Sequence, residues 1–87
     1  MKEIEFNGEK LLVYLDKGRL LAKDAEGFSY MTISINHRDL DDDEVAVKNY
    51  LENEGILKAL IDNQIVDKPH RILYLGYDIP VCKLLIK

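Results

Sequence analysis

The sequence predicts an α+β fold: one domain over residues 1–87, with a mostly antiparallel sheet of five to seven strands and one helix over about residues 53–63 packed on one face. Three observations carry this. Apolar and polar residues alternate with period two through the first half. Three turns containing an isolated glycine punctuate that half, and only one later stretch has helical periodicity. A chain of 87 residues buries roughly 60–65% of its unfolded surface, enough for one modest core.

In KEIEF, Ile4 and Phe6 fall on one face and Glu3 and Glu5 on the other. Asn7-Gly8 accepts positive φ and favours a tight hairpin turn. KLLVYLD places Leu11, Val13 and Leu15 on one side and Leu12 and Tyr14 on the other. Lys17-Gly18 turns the chain into RLLAKD, and Glu26-Gly27 turns it again. FSYMTISIN is the clearest strand, with Met31, Ile33 and Ile35 on one face and Tyr30, Thr32 and Ser34 on the other. These four runs read as an antiparallel meander.

HRDLDDD is a polar loop. EVAVKNY reads as a further strand with Val45 and Val47 inward, because both are β-branched; the competing reading is a first helical turn, which the acids would favour. NEGILKALIDNQIV is the helix. Asn53 is its expected N-cap, with Glu54 in the first turn. Ile56, Leu57, Leu60 and Ile61 share one face, while Lys58 and Asp62 face water. Asn63 is the expected left-handed terminator, and Pro69 bars continuation. A helix this short must dock on the sheet to persist, so Leu57, Leu60 and Ile61 are expected against Met31, Ile33 and Ile35. The tail reads as two strands, 71–75 and 81–86, joined through Gly76 to Pro80.

Composition narrows the function. Net charge is −4, and the basic residues are scattered, so the chain lacks the Lys/Arg footprint with which proteins displace counterions from nucleic acid. Cys82 is the single cysteine and cannot form an internal disulfide. No apolar run reaches signal-peptide or membrane-span length, which makes the cytoplasm the expected location. His37, His70 and Cys82 are separated by 32 and 11 residues, outside any zinc-ligand spacing. The five glycines form no phosphate loop. No catalytic residue, metal or cofactor is expected, and an enzyme of unknown type ranks third among the readings.

One stretch departs from the average. Residues 39–54 carry seven acids against one base, a net −6, while the remainder carries nine acids and eleven bases, a net +2. Asp39, Asp41 and Asp43 alternate like the first ligands of an EF-hand loop. The sixth position, however, is Glu44 where glycine must turn, and the twelfth is Tyr50 where glutamate must chelate. Calcium is therefore not expected. The residues expected to bind a partner are Asp39, Asp41, Asp42, Asp43, Glu44, Glu52 and Glu54, exposed and ionised along one acidic edge facing a basic protein surface. The bland reading is a solvated loop capping the next element. Leu12, Tyr14 and Tyr30, opposite the expected core, offer a second apolar face for a homodimer.

The stretches MTISIN, DDDEVAVKNYLENEGILKALIDNQIV and LGYDIPVCKLLI resemble a small uncharacterised domain family carried by phages, plasmids and conjugative elements of gut-associated Gram-positive bacteria. In that family a strand like TISIN leads into an acidic turn like DEV. A helix start like ENEGIL follows, and a GY…PV strand pair closes the domain. The resemblance spans roughly residues 30–86 and rests on structural positions rather than chemistry. It implies a mobile-element accessory protein. By analogy, the resemblance extends to the small acidic proteins of that setting, of which many inhibit host defence and some present carboxylates where a nuclease expects phosphates. The expectation is thus a non-enzymatic protein-binding accessory protein, extending to an inhibitor of a host nucleic-acid-binding or defence protein, with no membrane or direct nucleic-acid contact. The alternative is a small structural or regulatory homodimeric module whose acids serve only solubility.

Overall fold

The computed structural model describes residues 2–86, apart from the side chain of Glu52. It is α+β, with eight strands in two antiparallel sheets of four rather than five to seven strands in one sheet. Sheet 1 contains β1 (Lys2–Phe6), β2 (Glu9–Asp16), β3 (Arg19–Asp24) and β4 (Ser29–Thr32) in chain order. Sheet 2 contains β5 (Ser34–Ile35), β6 (Glu44–Val47), β7 (Arg71–Tyr74) and β8 (Asp78–Lys83) in the order β5-β6-β8-β7.

The meander forms as its alternation requires. Leu11 pairs with Ile4, Val13 with Ala22 and Leu15 with Leu20, so one face of sheet 1 is apolar. Its first two turns place Asn7-Gly8 and Lys17-Gly18 at positive φ, the backbone of a type I′ hairpin. The departure comes at Ile33. FSYMTISIN is not one strand of one sheet, because the chain changes sheets there. The Ile33 N–H donates to Leu20 O on β3 (2.9 Å), and its carbonyl accepts the Lys48 N–H just past β6 (2.7 Å). The corner turns Ser34 inward, where its Oγ accepts the Leu20 N–H (2.9 Å) and satisfies a buried hydroxyl.

The helix α1 is shorter than expected, Ile56–Asp62, and follows a 3-10 turn at Leu51–Asn53. Asn53 is not its N-cap. It is buried, and its Nδ2 donates to Thr32 O on β4 (3.1 Å). Capping passes to Asn49, whose Oδ1 accepts the N–H groups of Gly55 (3.1 Å) and Leu57 (3.0 Å). Gly55 makes this possible with φ 94, a conformation costly for any residue with a Cβ. Glu54 therefore lies before the helix rather than in its first turn. Asn63 has φ −98 and caps through its side chain, Nδ2 to Ala59 O (2.8 Å); the left-handed residue is Gln64, φ 59.

The tail forms a tighter hairpin than expected. Leu75–Tyr77 make the turn, and Asp78, Ile79 and Pro80 belong to β8. Pro80 is tolerated inside the sheet because the β6–β8 ladder stops at Ala46–Val81, so no ladder N–H is needed from it.

Ile56 and Leu60 of α1 are fully buried in the main core with Ile4, Phe6 and Leu11 of sheet 1 and Val45, Val47 and Cys82 of sheet 2. Leu57, Ile61 and Met31 pack on its rim, and Ile33 lies inside it. Ile35 does not join them. It belongs to a smaller cluster around Ala46, Ile79 and Val81, packed with Leu40, Tyr50 and Leu73. Tyr50 stacks on Tyr77 there, ring centroids 4.4 Å apart. No helix among the described residues is long and apolar enough to cross a membrane.

Candidate functional site

The acidic run lies in the loop that crosses to β6. The loop is folded by its own backbone: the Leu40 N–H donates to His37 O (3.2 Å) and the Glu44 N–H to Asp41 O (3.0 Å). Glu44 opens β6 and Arg71 opens β7, on either side of β8. Glu44 pairs with Lys83 and Arg71 with Val81, so period-two alternation puts both side chains on the same face.

There they form a bidentate pair. Glu44 Oε1 accepts from Arg71 Nη2 (2.7 Å), and Oε2 accepts from Arg71 Nε (3.1 Å). Oε1 also accepts the Asp41 N–H (2.9 Å), and Oε2 is bonded to His70 Nε2. Arg71 Nη2 reaches further, to Asp39 O (2.7 Å). The loop is thus tied to the sheet at Asp39, Asp41 and Glu44 by one arginine and one carboxylate. The Arg71 hydrogen bonds, then the Asp41 N–H, then His70 hold the Glu44 carboxyl far below the ordinary carboxylate range, against the opposing effect of desolvation. The same pair raises the Arg71 guanidinium above its usual value.

Glu44 therefore departs from the expected exposed edge: its side chain is 7% exposed and faces Arg71. Composition cannot separate it from its aspartate neighbours, because the partner that draws it inward is 27 residues away. Asp39, Asp41, Asp42 and Asp43 are exposed. Asp39 lies beside His37, whose Nδ1 accepts the Asp39 N–H (3.2 Å), and Asp43 stands 4.0 Å from Lys83 in a solvated pair. The loop and the Gly18 turn border a groove of about 370 Å³ that Asp41 and Asp42 line with Arg38. A neighbouring notch has Leu15, Leu84 and Ile86 as its apolar wall and Asp42 and Asp43 on its rim.

Glu54 lies apart from this group, bordering a depression with Glu5, Lys58 and Asp62 near α1. The Glu52 side chain is outside the described residues. The six acids whose side chains are described accordingly divide: four displayed on the loop, Glu44 used to hold it, and Glu54 elsewhere.

Arg71 and His70 are the contributors that sequence reasoning missed. Nothing local marks them, since their role depends on the β6–β8–β7 order. Among the described residues no group of three or more His, Cys, Asp or Glu side chains could hold a metal ion. Cys82 is fully buried, and burial pushes its thiol up to about 11, so it is not a thiolate at neutral pH. On the outer face of sheet 1, Leu12 and Tyr14 are half-buried and Tyr30 is exposed, with Lys23 Nζ 5.4 Å from the Tyr14 ring. No family model, curated protein or solved structure matches this chain.

Proposed function

We propose that this protein is a non-enzymatic protein-binding module that presents Asp39, Asp41, Asp42 and Asp43 to a basic surface of a partner protein. The observation that supports it most is the Glu44–Arg71 lock. Its two side chains bond two loop backbone groups, the Asp41 N–H and the Asp39 carbonyl, while the aspartates stay in water. Ordering a loop before binding removes an entropic cost that a flexible acidic segment would incur on association. Fixed carboxylates can also match fixed cations, which gives steering and specificity. In the mobile-element setting that the sequence resemblance implies, a nuclease or other phosphate-binding host protein supplies such a cationic surface.

The test begins with capture of the partner from host lysate, followed by binding kinetics. The Asp41→Asn/Asp42→Asn/Asp43→Asn variant is expected to associate at least about tenfold more slowly at low salt, with a shallower salt dependence and an unchanged melting temperature. Unchanged kinetics would reduce the aspartates to a solvated loop. A second reading, a homodimeric structural module, draws on Tyr30 with Leu12 and Tyr14 on the outer face of sheet 1. It is separated from the first by mass in solution, because an apolar dimer survives high salt.

A further inference from the structure

We infer that β7 is a pairing edge for a second copy of this chain, joining two copies of sheet 2 across a two-fold axis. This does not rest on the acidic loop. The sheets have four outer strands, and at or beside three of them another part of the chain makes a contact. Helix α1 packs beside β1. The Thr32 carbonyl at the end of β4 accepts the Asn53 amide, and the Ile33 N–H beside β5 is bonded back to β3. Among the described residues no strand pairs with the outer side of β7.

The register shows what β7 offers. The Leu75 N–H donates to Tyr77 O (3.0 Å), so the odd-numbered residues of this strand are the ones bonded toward β8. Alternation then turns the N–H and C=O of both Ile72 and Tyr74 outward. Their side chains are 54% and 74% exposed, and the adjoining Leu75 and Tyr77 are 42% and 50% exposed. Solvent-facing edges are commonly blunted with lysine or an inward-pointing charge. After Arg71, which Glu44 neutralises, this edge carries isoleucine, leucine and tyrosine.

A second copy satisfies all four outward backbone groups in one antiparallel register. Ile72 of each copy lies opposite Tyr74 of the other as hydrogen-bonded pairs, and Leu73 meets Leu73 at the axis as a non-hydrogen-bonded pair. That arrangement sets β-branched against aromatic side chains, a favourable cross-strand pairing. It also places Leu75 beside the aliphatic stem of Arg71 in the second copy.

Charge is compatible with self-pairing despite the net −4. Arg71 is neutralised by Glu44 and marks the end of β7 tied to the acidic loop. Antiparallel pairing puts that end against the Leu75 turn of the other copy, so the two acidic loops lie at opposite ends. The four exposed side chains offer roughly 400 Å² per copy, about half of what a standard interface buries on each side. The dimer is accordingly weak and concentration-dependent.

Sedimentation from about 5 μM to about 1 mM tests this, because association follows mass action. The wild-type mass is expected to rise from the 10.1 kDa monomer toward twice that value. Ile72→Lys and Tyr74→Lys are expected to stay monomeric with unchanged far-UV spectra, and Tyr30→Lys to dimerise like wild type. Leu73→Cys is expected to form a disulfide-linked dimer on mild oxidation, since facing non-bonded pairs hold their Cα atoms about 4.5 Å apart. A monomer at the highest concentration, a dimer that persists in Tyr74→Lys, or a Leu73→Cys variant that does not cross-link would each overturn the inference.

Discussion

Truncating Leu60 to alanine tests the packing that positions everything else. Leu60 is fully buried where α1 meets the core shared by the two sheets. The substitution removes three carbons, and its cost combines lost transfer energy with the residual cavity. Comparable buried Leu→Ala changes cost about 2–5 kcal/mol. Leu60 belongs in the upper half of that range, because it is fully buried in a core to which both sheets contribute. A domain of 87 residues has a total stability of roughly 4–13 kcal/mol, so this is a large share. At about 4–8 °C per kcal/mol for this size, the melting temperature should fall by at least about 14 °C. Urea unfolding followed by circular dichroism should show a lower midpoint with an unchanged slope. Leu51→Ala is the matched control: the same atoms are removed at a 65% exposed site, and the expected change is within about 0.5 kcal/mol. A melting temperature for Leu60→Ala within two or three degrees of wild type would refute the helix placement.

Further outcomes follow from the same structure. Asn49→Ala should destabilise by about 0.5–2 kcal/mol, because it orphans the Gly55 and Leu57 N–H groups; equal stability to wild type in chemical unfolding would remove it as the cap. Glu44 has a lowered native pKa, so it contributes stability above the ordinary glutamate value of 4.5 and loses it as pH falls toward the native value. The gap in melting temperature between wild type and Glu44→Gln should therefore be full above about pH 5 and shrink on acidification below 4.5, and a gap independent of pH would contradict the Arg71 pairing. Cys82 should resist a thiol reagent in native protein at pH 8 and react promptly in denaturant; fast native labelling would show that its burial is wrong.

The hairpins were legible because each turn and each alternating run carries its own local signal: Asn7-Gly8 sets a turn, and Ile4 and Leu11 declare a face. What sequence hid is non-local. The sequence alternation of Met31, Ile33 and Ile35 runs unbroken through the corner and so hides it, although there Ser34 turns inward and Ile35 joins the smaller cluster. Asn49 and Asn53 are both competent caps, and Gly55 at positive φ selects the more distant one. Pro80 reads as a strand breaker until the neighbouring ladder is seen to end beside it. The acidic run was conspicuous, and its exposed aspartates lie where composition implied. Glu44 was indistinguishable from them, because its environment is made by Arg71, which only the strand order brings near.

The most direct test of the central claim, that the Glu44–Arg71 pair holds the acidic loop in one conformation, is backbone ¹⁵N relaxation across residues 39–43 in wild type and in Arg71→Met. Order parameters are expected near the rigid-backbone value of about 0.85 in wild type, falling below about 0.6 in Arg71→Met while α1 and sheet 1 keep theirs. Low values in wild type, or a loop equally rigid without Arg71, would contradict it.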